Sequence, residues 1–285
     1  MPFITVGFEN SAALDLYYED HGVGQPVVLI HGFPLSGDAW EKQVPPLLAA
    51  GYRTITYDRR GFGNSGHAGA GYDYDTFAAD LNAIMTELDL RDAILVGHSM
   101  GTGEITRYLS RYGSDRVSRA VLISVIPPFL LKTSDNPEGV DKSVFDGFQQ
   151  AIMSDRYAYH TSFLNAFYNY EQMRGKRVSE EAFRANWNLA ISASPIGTYA
   201  CPETWQTDFR EDVPRIDVPV LIIHGDADNV LPYPATAPRL QQMLPDSKLV
   251  TVQGGPHAIP WTHADEVNRA LMEFIQTPAM QGARR

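Results

Sequence analysis

The sequence predicts an α/β fold, a mostly parallel, eight-stranded, doubly wound sheet with an antiparallel start and an inserted helical cap. Three features carry that expectation. Short runs that are apolar at every position (26–30, 93–96 and 219–223) recur between stretches of helical length, as strands covered on both faces do. The alternation breaks at Pro127-Pro128 and resumes only near residue 219, leaving a long strandless segment rich in aromatic residues. Gly97-His98-Ser99-Met100-Gly101 stands where one apolar run meets an amphipathic stretch, the strand-to-helix setting of a nucleophile elbow.

Taken in order, residues 3–8 and 14–20 gather β-formers around the polar break Glu9-Asn10-Ser11 and predict an opening hairpin. A strand at 26–30, a helix at 38–50, a strand at 52–57, a helix at 74–90, the elbow strand at 93–96, a helix at 102–112 and a strand at 117–125 follow. Strands alternating with helices of this length imply parallel pairing through right-handed crossovers. Two consecutive prolines cannot continue a central ladder, so 1–126 forms the first part of the core and 127–213 the cap. Phe145 with Phe148, and Phe163 with Phe167, fall at helical spacing there. Most such rings fasten cap to core, and some face the elbow and line an apolar pocket. The core resumes over 214–276, with strands at 219–223 and 248–252 and helices at 235–244 and 264–276. Asp265 and Glu266 suit the positive end of the last helix. The small, polar tail 277–285 is expected to be disordered.

The chain has 285 residues, 44% of them hydrophobic and 20% charged, enough for one large core with an insertion. Its 34 acidic and 23 basic residues give a net charge of -11, which repels phosphate backbones and anionic membranes. Neither nucleic acid nor a membrane is an expected partner. Cys201 is the only cysteine, so no intrachain disulfide or cysteine metal cluster can form. The start Met1-Pro2-Phe3-Ile4-Thr5 lacks the basic and apolar regions of a signal peptide, and no apolar run reaches bilayer-spanning length. A cytoplasmic location is expected.

The pentapeptide alone also fits a serine that merely caps a helix, so other residues must supply what a nucleophile needs. A serine hydroxyl requires a histidine to take its proton and a carboxylate to orient that histidine. His224-Gly225-Asp226-Ala227-Asp228 follows the penultimate strand, and Gly254-Gly255-Pro256-His257-Ala258 follows the last. Both loops therefore leave the sheet at the same edge as Ser99, in the order serine, acid, histidine. His31, His98 and His224 end strands and are expected to bond local backbone; His21, His67 and His160 fit no such frame, and His263 precedes a helix. His257 is the expected base. The residues themselves leave Asp226 and Asp228 both open as the acid. An oxyanion hole needs two backbone N–H groups. Met100, directly after the nucleophile, supplies one. In His31-Gly32-Phe33-Pro34, Phe33 carries an N–H and Pro34 does not, which makes Phe33 the second donor. Pro34 also restricts Phe33 toward extended conformations.

Together His31-Gly32-Phe33-Pro34, Asp58-Arg59-Arg60-Gly61-Phe62-Gly63-Asn64-Ser65, the elbow, the Gly225-Asp226-Ala227-Asp228 loop and Pro256-His257 make the chain resemble the α/β-hydrolase superfamily. Within it the chain resembles the cofactor-free bacterial haloperoxidases, perhydrolases and aryl esterases, a group that includes some γ-lactamases. The resemblance spans residues 8–275, cap included. It implies the α/β-hydrolase fold, Asp228 as the triad acid, and an acyl pocket bordered by Ile126, Phe148, Phe163, Phe167 and Val230. It implies structural roles for Asp58, Arg60 and Ser65, and no haem, metal or other cofactor. A proline at position 34 is typical of the perhydrolase members, which implies that Pro34 fixes its loop so that a backbone carbonyl can hold peroxide. His98 departs from the pattern, since many relatives carry an aromatic residue there. The elbow turns it away from the Ser99 hydroxyl, and a structural role is expected. Relatives resemble trimers or hexamers, so a homo-oligomer is implied, although no periodic pattern here marks an interface.

The implied chemistry is an acyl-enzyme on Ser99. Water releases the acid of a small carboxylic ester, and hydrogen peroxide releases a peracid from an ester or carboxylic acid. A haloalkane dehalogenase or epoxide hydrolase on this fold would need aspartate at position 99, and Ser99 argues against both. Two readings stay open beside it: cleavage of a small lactam by the same triad, and a receptor or carrier that binds small molecules without turnover.

Overall fold

A computed structural model describes residues 2–277. Beyond Thr277, the tail expected to be disordered lies outside the described residues. Eight strands, β1 (Phe3–Glu9), β2 (Ala12–His21), β3 (Pro26–Ile30), β4 (Arg53–Tyr57), β5 (Ala93–His98), β6 (Val117–Ile123), β7 (Val220–Gly225) and β8 (Lys248–Val252), form one sheet in the order β1-β2-β4-β3-β5-β6-β7-β8. β2 pairs antiparallel with both β1 and β4, and the remaining pairs are parallel. The opening hairpin is therefore the antiparallel edge of a doubly wound sheet.

Strand β3 shows why the sheet is covered twice. All five of its residues are buried. Val28 and Ile30 enter the hydrophobic cluster on one face, while Val27 and Leu29 enter the cluster on the other. Full burial of each such side chain contributes roughly 1.5–3 kcal/mol, which a central strand realises only with helices on both sides.

Before the insertion lie α1 (Val44–Ala49), α2 (Tyr74–Glu87) and α3 (Met100–Tyr112). Phe77 and Leu81 of α2 and Ile105 of α3 fill one face. Between β6 and β7 the described residues form α4 (Lys142–Tyr168), α5 (Tyr170–Met173), α6 (Glu180–Ser192) and α7 (Pro195–Thr204), with no strand among them. Their rings join the cluster that holds α2 and α3. The last helices are α8 (Ala237–Met243), α9 (Ile259–Thr262) and α10 (Ala264–Gln276), and Val267, Leu271 and Ile275 of α10 join Leu47 of α1 on the opposite face. No described helix is long and apolar enough to cross a membrane.

Two helices depart from expectation, and prolines explain both. The single helix expected over 38–50 is a 3-10 turn, Gly37–Trp40, followed by α1, whose first turn holds Pro45 and Pro46. Neither proline has an N–H to donate, and their rings would strike the preceding turn, so the helix restarts there. The helix expected over 235–244 likewise divides into a 3-10 turn, Tyr233–Ala235, and α8, with Pro238 in its first turn. Within α4, Asp155 leaves the helical region at φ -157 and ψ 94. Its carboxylate accepts the N–H groups of Tyr157 and Ala158, both at 3.0 Å, and so caps the second half afresh.

The Asp58 to Ser65 motif braces the sheet and the segments beside it. Asp58 accepts the N–H groups of Gly37 and Asn64, both at 2.7 Å, and Arg60 grips Asp80 through two bonds of 2.7 and 2.6 Å. Ser65 donates to the Asp58 carbonyl at 2.5 Å and accepts the Tyr17 N–H at 2.8 Å.

Candidate active site

Strand β5 ends at His98 and α3 begins at Met100; Ser99 joins them with φ 53 and ψ -116. Such strain in a residue with a side chain persists only where its surroundings over-determine it. Those surroundings are two glycines. A Cβ on Gly97 would lie 2.6 Å from the Gly101 carbonyl oxygen, and one on Gly101 would lie 2.3 Å from that of Ile30. Ser99 makes no side-chain capping bond to α3, so its hydroxyl is not used as an N-cap. Thr102 fastens the turn. Its N–H and its hydroxyl donate to the Ser99 carbonyl at 2.9 and 2.6 Å, and its Oγ1 accepts the Ile126 N–H at 3.1 Å.

Asp228 and His257 meet at the same sheet edge. His257 Nδ1 stands 2.7 Å from Asp228 Oδ2, with both side chains fully buried. Asp228 Oδ1 accepts the N–H groups of Val230 and Leu231, both at 2.8 Å. His224 adds a fourth donor. Its Nδ1 accepts the Val125 N–H at 3.1 Å, so the proton sits on Nε2, 3.1 Å from Asp228 Oδ2 and 3.2 Å from the Leu231 carbonyl. Burial alone would raise the Asp228 carboxyl, yet His257 and His224 outweigh it and hold the group well below the usual carboxylate range. Asp226 is exposed and accepts the Gly254 N–H at 2.6 Å, a bond within the loops.

With Nδ1 directed at an ionised carboxylate, His257 Nε2 carries the lone pair. It is buried and has no hydrogen-bond partner in the protein. No hydrogen bond joins it to the Ser99 hydroxyl. The backbone of His257 is held firmly: its carbonyl accepts from His98 Nε2 at 3.0 Å and from the Ser124 hydroxyl at 3.1 Å. Ser124 itself has φ 49. Burial, with His257 beside it, pushes His98 down to about 3, so that ring is neutral and donates from Nε2.

The His31–Pro34 loop lies against the elbow, since a Cβ on Gly32 would sit 2.9 Å from Ser99 Cβ. Among the described residues, no hydrogen bond engages the N–H of Phe33 or Met100. The Phe33–Pro34 peptide is cis. Beneath the loop is a buried ion pair: Arg59 Nε donates to Glu104 at 2.8 Å, and Tyr57 donates to the same carboxylate. Arg59 also donates to the His31 carbonyl, and its N–H to His31 Nε2, both at 2.9 Å. Glu104 belongs to α3, so the ion pair couples the elbow helix to this loop.

The insertion reaches the same region. The Phe167 carbonyl accepts the Ala258 N–H at 2.9 Å, and Asn169 Nδ2 donates to the Ala227 carbonyl at 2.8 Å. The end of α4 thus holds the loops of both His257 and Asp228. The Phe167 ring lies 5.3 Å from that of His257, and the Phe163 ring 5.3 Å from that of Phe33. Ile126, Phe163 and Phe167 are buried. Phe148, beside Trp205, and Val230 are half-buried. Sequence reasoning missed the contact of His224 with Asp228, the Ser124 and His98 bonds to His257, and the place of Trp205 against Phe33. The one available signal was the strand-end position of His98 and His224.

A family model described as alpha/beta hydrolase fold matches residues 25–264, and the chain belongs to that family. A Synechocystis protein provisionally named a non-haem chloroperoxidase is 62% identical over 97% of this chain and 100% of its own length. A bifunctional esterase/perhydrolase of Acinetobacter calcoaceticus is 37% identical over 93% of this chain and 97% of its own. The crystal structure of a Bacillus anthracis bromoperoxidase superposes with a TM-score of 0.92 at 44% identity, covering 96% of this chain and 99% of that one. Within the α/β hydrolases the chain falls among the non-haem haloperoxidases.

Proposed function

We propose that the protein is a serine hydrolase that works through an acyl-enzyme on small carboxylic esters, and a perhydrolase that makes peracids from a carboxylic acid or ester and hydrogen peroxide. The observation that carries this reading is the buried Asp228–His257 pair, 2.7 Å apart, whose free Nε2 lies at the sheet edge where the strained Ser99 stands. His257 Nε2 takes the Ser99 proton as Oγ attacks the acyl carbon. The N–H groups of Phe33 and Met100 hold the oxyanion. The protonated His257 returns the proton to the leaving alkoxide, or to the hydroxide that a carboxylic acid loses as water. Asp228 keeps the imidazole oriented and stabilises its charge.

Deacylation repeats these steps with His257 drawing a proton from the incoming nucleophile. Water yields the acid; hydrogen peroxide yields the peracid and free Ser99. The peracid passes its terminal oxygen to bromide, giving carboxylate and hypobromous acid, a step that needs no group of the protein. The esterase/perhydrolase name of the Acinetobacter relative supports both outcomes. In this reading α4–α7 are a cap on a core formed by 1–126 and 214–276, Ile126, Phe148, Phe163, Phe167 and Val230 border the acyl group, and Pro34 sets its loop to receive peroxide. A cytoplasmic setting fits a chain whose lone cysteine, Cys201, is buried and free, and a net charge of -11 disfavours nucleic acid.

The test measures p-nitrophenyl acetate hydrolysis, and dye bromination driven by acetate, bromide and peroxide, in the wild type and Ser99→Ala. Both activities should vanish in the variant. Retention of both would remove Ser99 from the mechanism. Pro34→Leu should lower the ratio of perhydrolysis to hydrolysis, and an unchanged ratio would take peroxide positioning away from Pro34.

A further inference from the structure

The ring of Phe33 is the hub of an aromatic wall supplied by the insertion. Ring centroids of Trp205, Phe163, His160 and Tyr159 lie 5.0, 5.3, 6.1 and 6.5 Å from it. Phe163 leads to Phe167 at 6.0 Å, and Phe167 to His257 at 5.3 Å. The wall therefore runs from the base to beyond the loop that carries the Phe33 N–H.

Four polar atoms in this wall are buried without a partner in the protein: the Tyr159 hydroxyl, both ring nitrogens of His160 and Trp205 Nε1. Their residues are only 6%, 0% and 7% exposed. Buried tyrosine O–H and tryptophan N–H groups ordinarily find partners, and folded proteins leave few polar atoms without one. Their residues pack on rings that the reading above places along the acyl pocket: Tyr159 and Trp205 lie 6.1 and 6.0 Å from Phe148, and Tyr159 lies 6.1 Å from Phe163.

We infer that Tyr159, His160 and Trp205 form the polar end of that pocket and select acyl groups carrying a neutral hydrogen-bonding oxygen, a hydroxyl, ether or ketone, over plain alkyl chains of the same length. The inference rests on the serine-ester reading above. Trp205 Nε1 can only donate, while the Tyr159 hydroxyl and a neutral imidazole donate or accept. Burial pushes His160 down to about 4, which keeps it neutral at pH 7. Arg156, the cation that acts on His160, donates from Nη1 to the carbonyls of Ile191 and Ala193. A purely apolar chain would leave the four atoms unmet.

The experiment compares kcat/KM for p-nitrophenyl 3-methoxypropanoate and p-nitrophenyl pentanoate, which differ by an ether oxygen in place of a methylene. Each value is normalised to the ester's alkaline hydrolysis rate. The wild type should favour the ether about tenfold, the worth of one buried hydrogen bond. In Tyr159→Phe and Trp205→Phe that ratio should fall at least about threefold. Equal normalised rates in the wild type, or a ratio unchanged in both variants, would overturn the inference alone. Inertness of the wild type toward both esters would instead overturn the serine-ester reading, and this inference with it. Because the wild-type ratio is decisive by itself, a variant that fails to fold leaves the test intact.

Discussion

Replacing Asp228 with asparagine should disable the site by a route that can be followed atom by atom. Val230 and Leu231 donate to Oδ1 at 2.8 Å each, and His257 and His224 direct nitrogens at Oδ2 from 2.7 and 3.1 Å. Asparagine has one oxygen. If it stays with the two backbone donors, the amide NH2 faces two imidazoles. His224 cannot accept there, because its Nδ1 is committed to the Val125 N–H. His257 can accept only by moving its proton from Nδ1 to Nε2, the nitrogen that must receive the Ser99 proton. The expected loss in kcat for p-nitrophenyl acetate is about 10⁴-fold, as for a triad histidine held in the wrong tautomer, or about 5.4 kcal/mol of transition-state stabilisation. Asp226 bonds the Gly254 N–H at an exposed position, so Asp226→Asn should stay within about threefold of wild type. Steady-state kinetics of the two variants decide the matter. A larger loss in Asp226→Asn, or more than about a tenth of kcat surviving in Asp228→Asn, would refute the triad reasoning.

Three further outcomes are expected. In Gly225→Ala the new Cβ would lie 2.0 Å from the Gly255 carbonyl oxygen and 2.5 Å from its carbon, so the two loops must part. Stability should fall by about 1–3 kcal/mol in urea unfolding, with activity lost as well, and a wild-type midpoint would contradict the packing of these loops. His98→Phe keeps a ring beside Phe167 and His257 but removes the bond to the His257 carbonyl. Loss of that positioning contact should lower kcat about tenfold at constant KM; an unchanged kcat and pH profile would leave His98 a packing role only. Burial lowers His31 well below its ordinary value, His98 to about 3 and His160 to about 4. A histidine lowered in the folded state contributes stability that is present above its unfolded value, about 6.5, and lost as pH falls toward the folded one. At pH 5.5 each of the three withdraws on the order of 1 kcal/mol, so stability should fall by roughly a few kcal/mol from its value at pH 7.5. A urea midpoint that stays constant from pH 7.5 to 5.5 would refute this.

Strand β3 and helix α10 have the bounds that the sequence predicts, because each carries its cause locally. A strand buried on both faces must be apolar throughout, and an amphipathic helix must repeat its apolar face. The split helices were legible in principle, since Pro45, Pro46 and Pro238 stand in the sequence. The site divides along the same line. Gly97, Ser99 and Gly101 announce a tight turn because the collisions that demand glycine involve neighbours in the chain or in the next strand. The choice between Asp226 and Asp228 is not local. The two lie in one loop, and only the packing of α4, β6 and β7 around it makes one exposed and the other a buried acceptor of four bonds.

His224 and Ser124 escaped sequence reasoning for the same physical reason. His224 acts across the adjacent strands β6 and β7, and Ser124 reaches past β7 to the loop after β8, contacts set by the crossovers and not by residue type. The Val125 N–H that fixes the His224 tautomer follows β6, while His224 lies in β7, 99 residues away. Ser124 reaches the His257 carbonyl across 133 residues and takes φ 49 to do so. A β6–β7 register shifted by one residue would separate Val125 from His224 and leave Nδ1 free to take the proton. His224 could then turn a lone pair toward Asp228 and weaken the hold on His257. The tautomer of His224, and with it one of the four bonds on Asp228, is thus set by the register of two strands that contain neither Ser99 nor His257, and substitutions that disturb β6–β7 pairing should lower kcat.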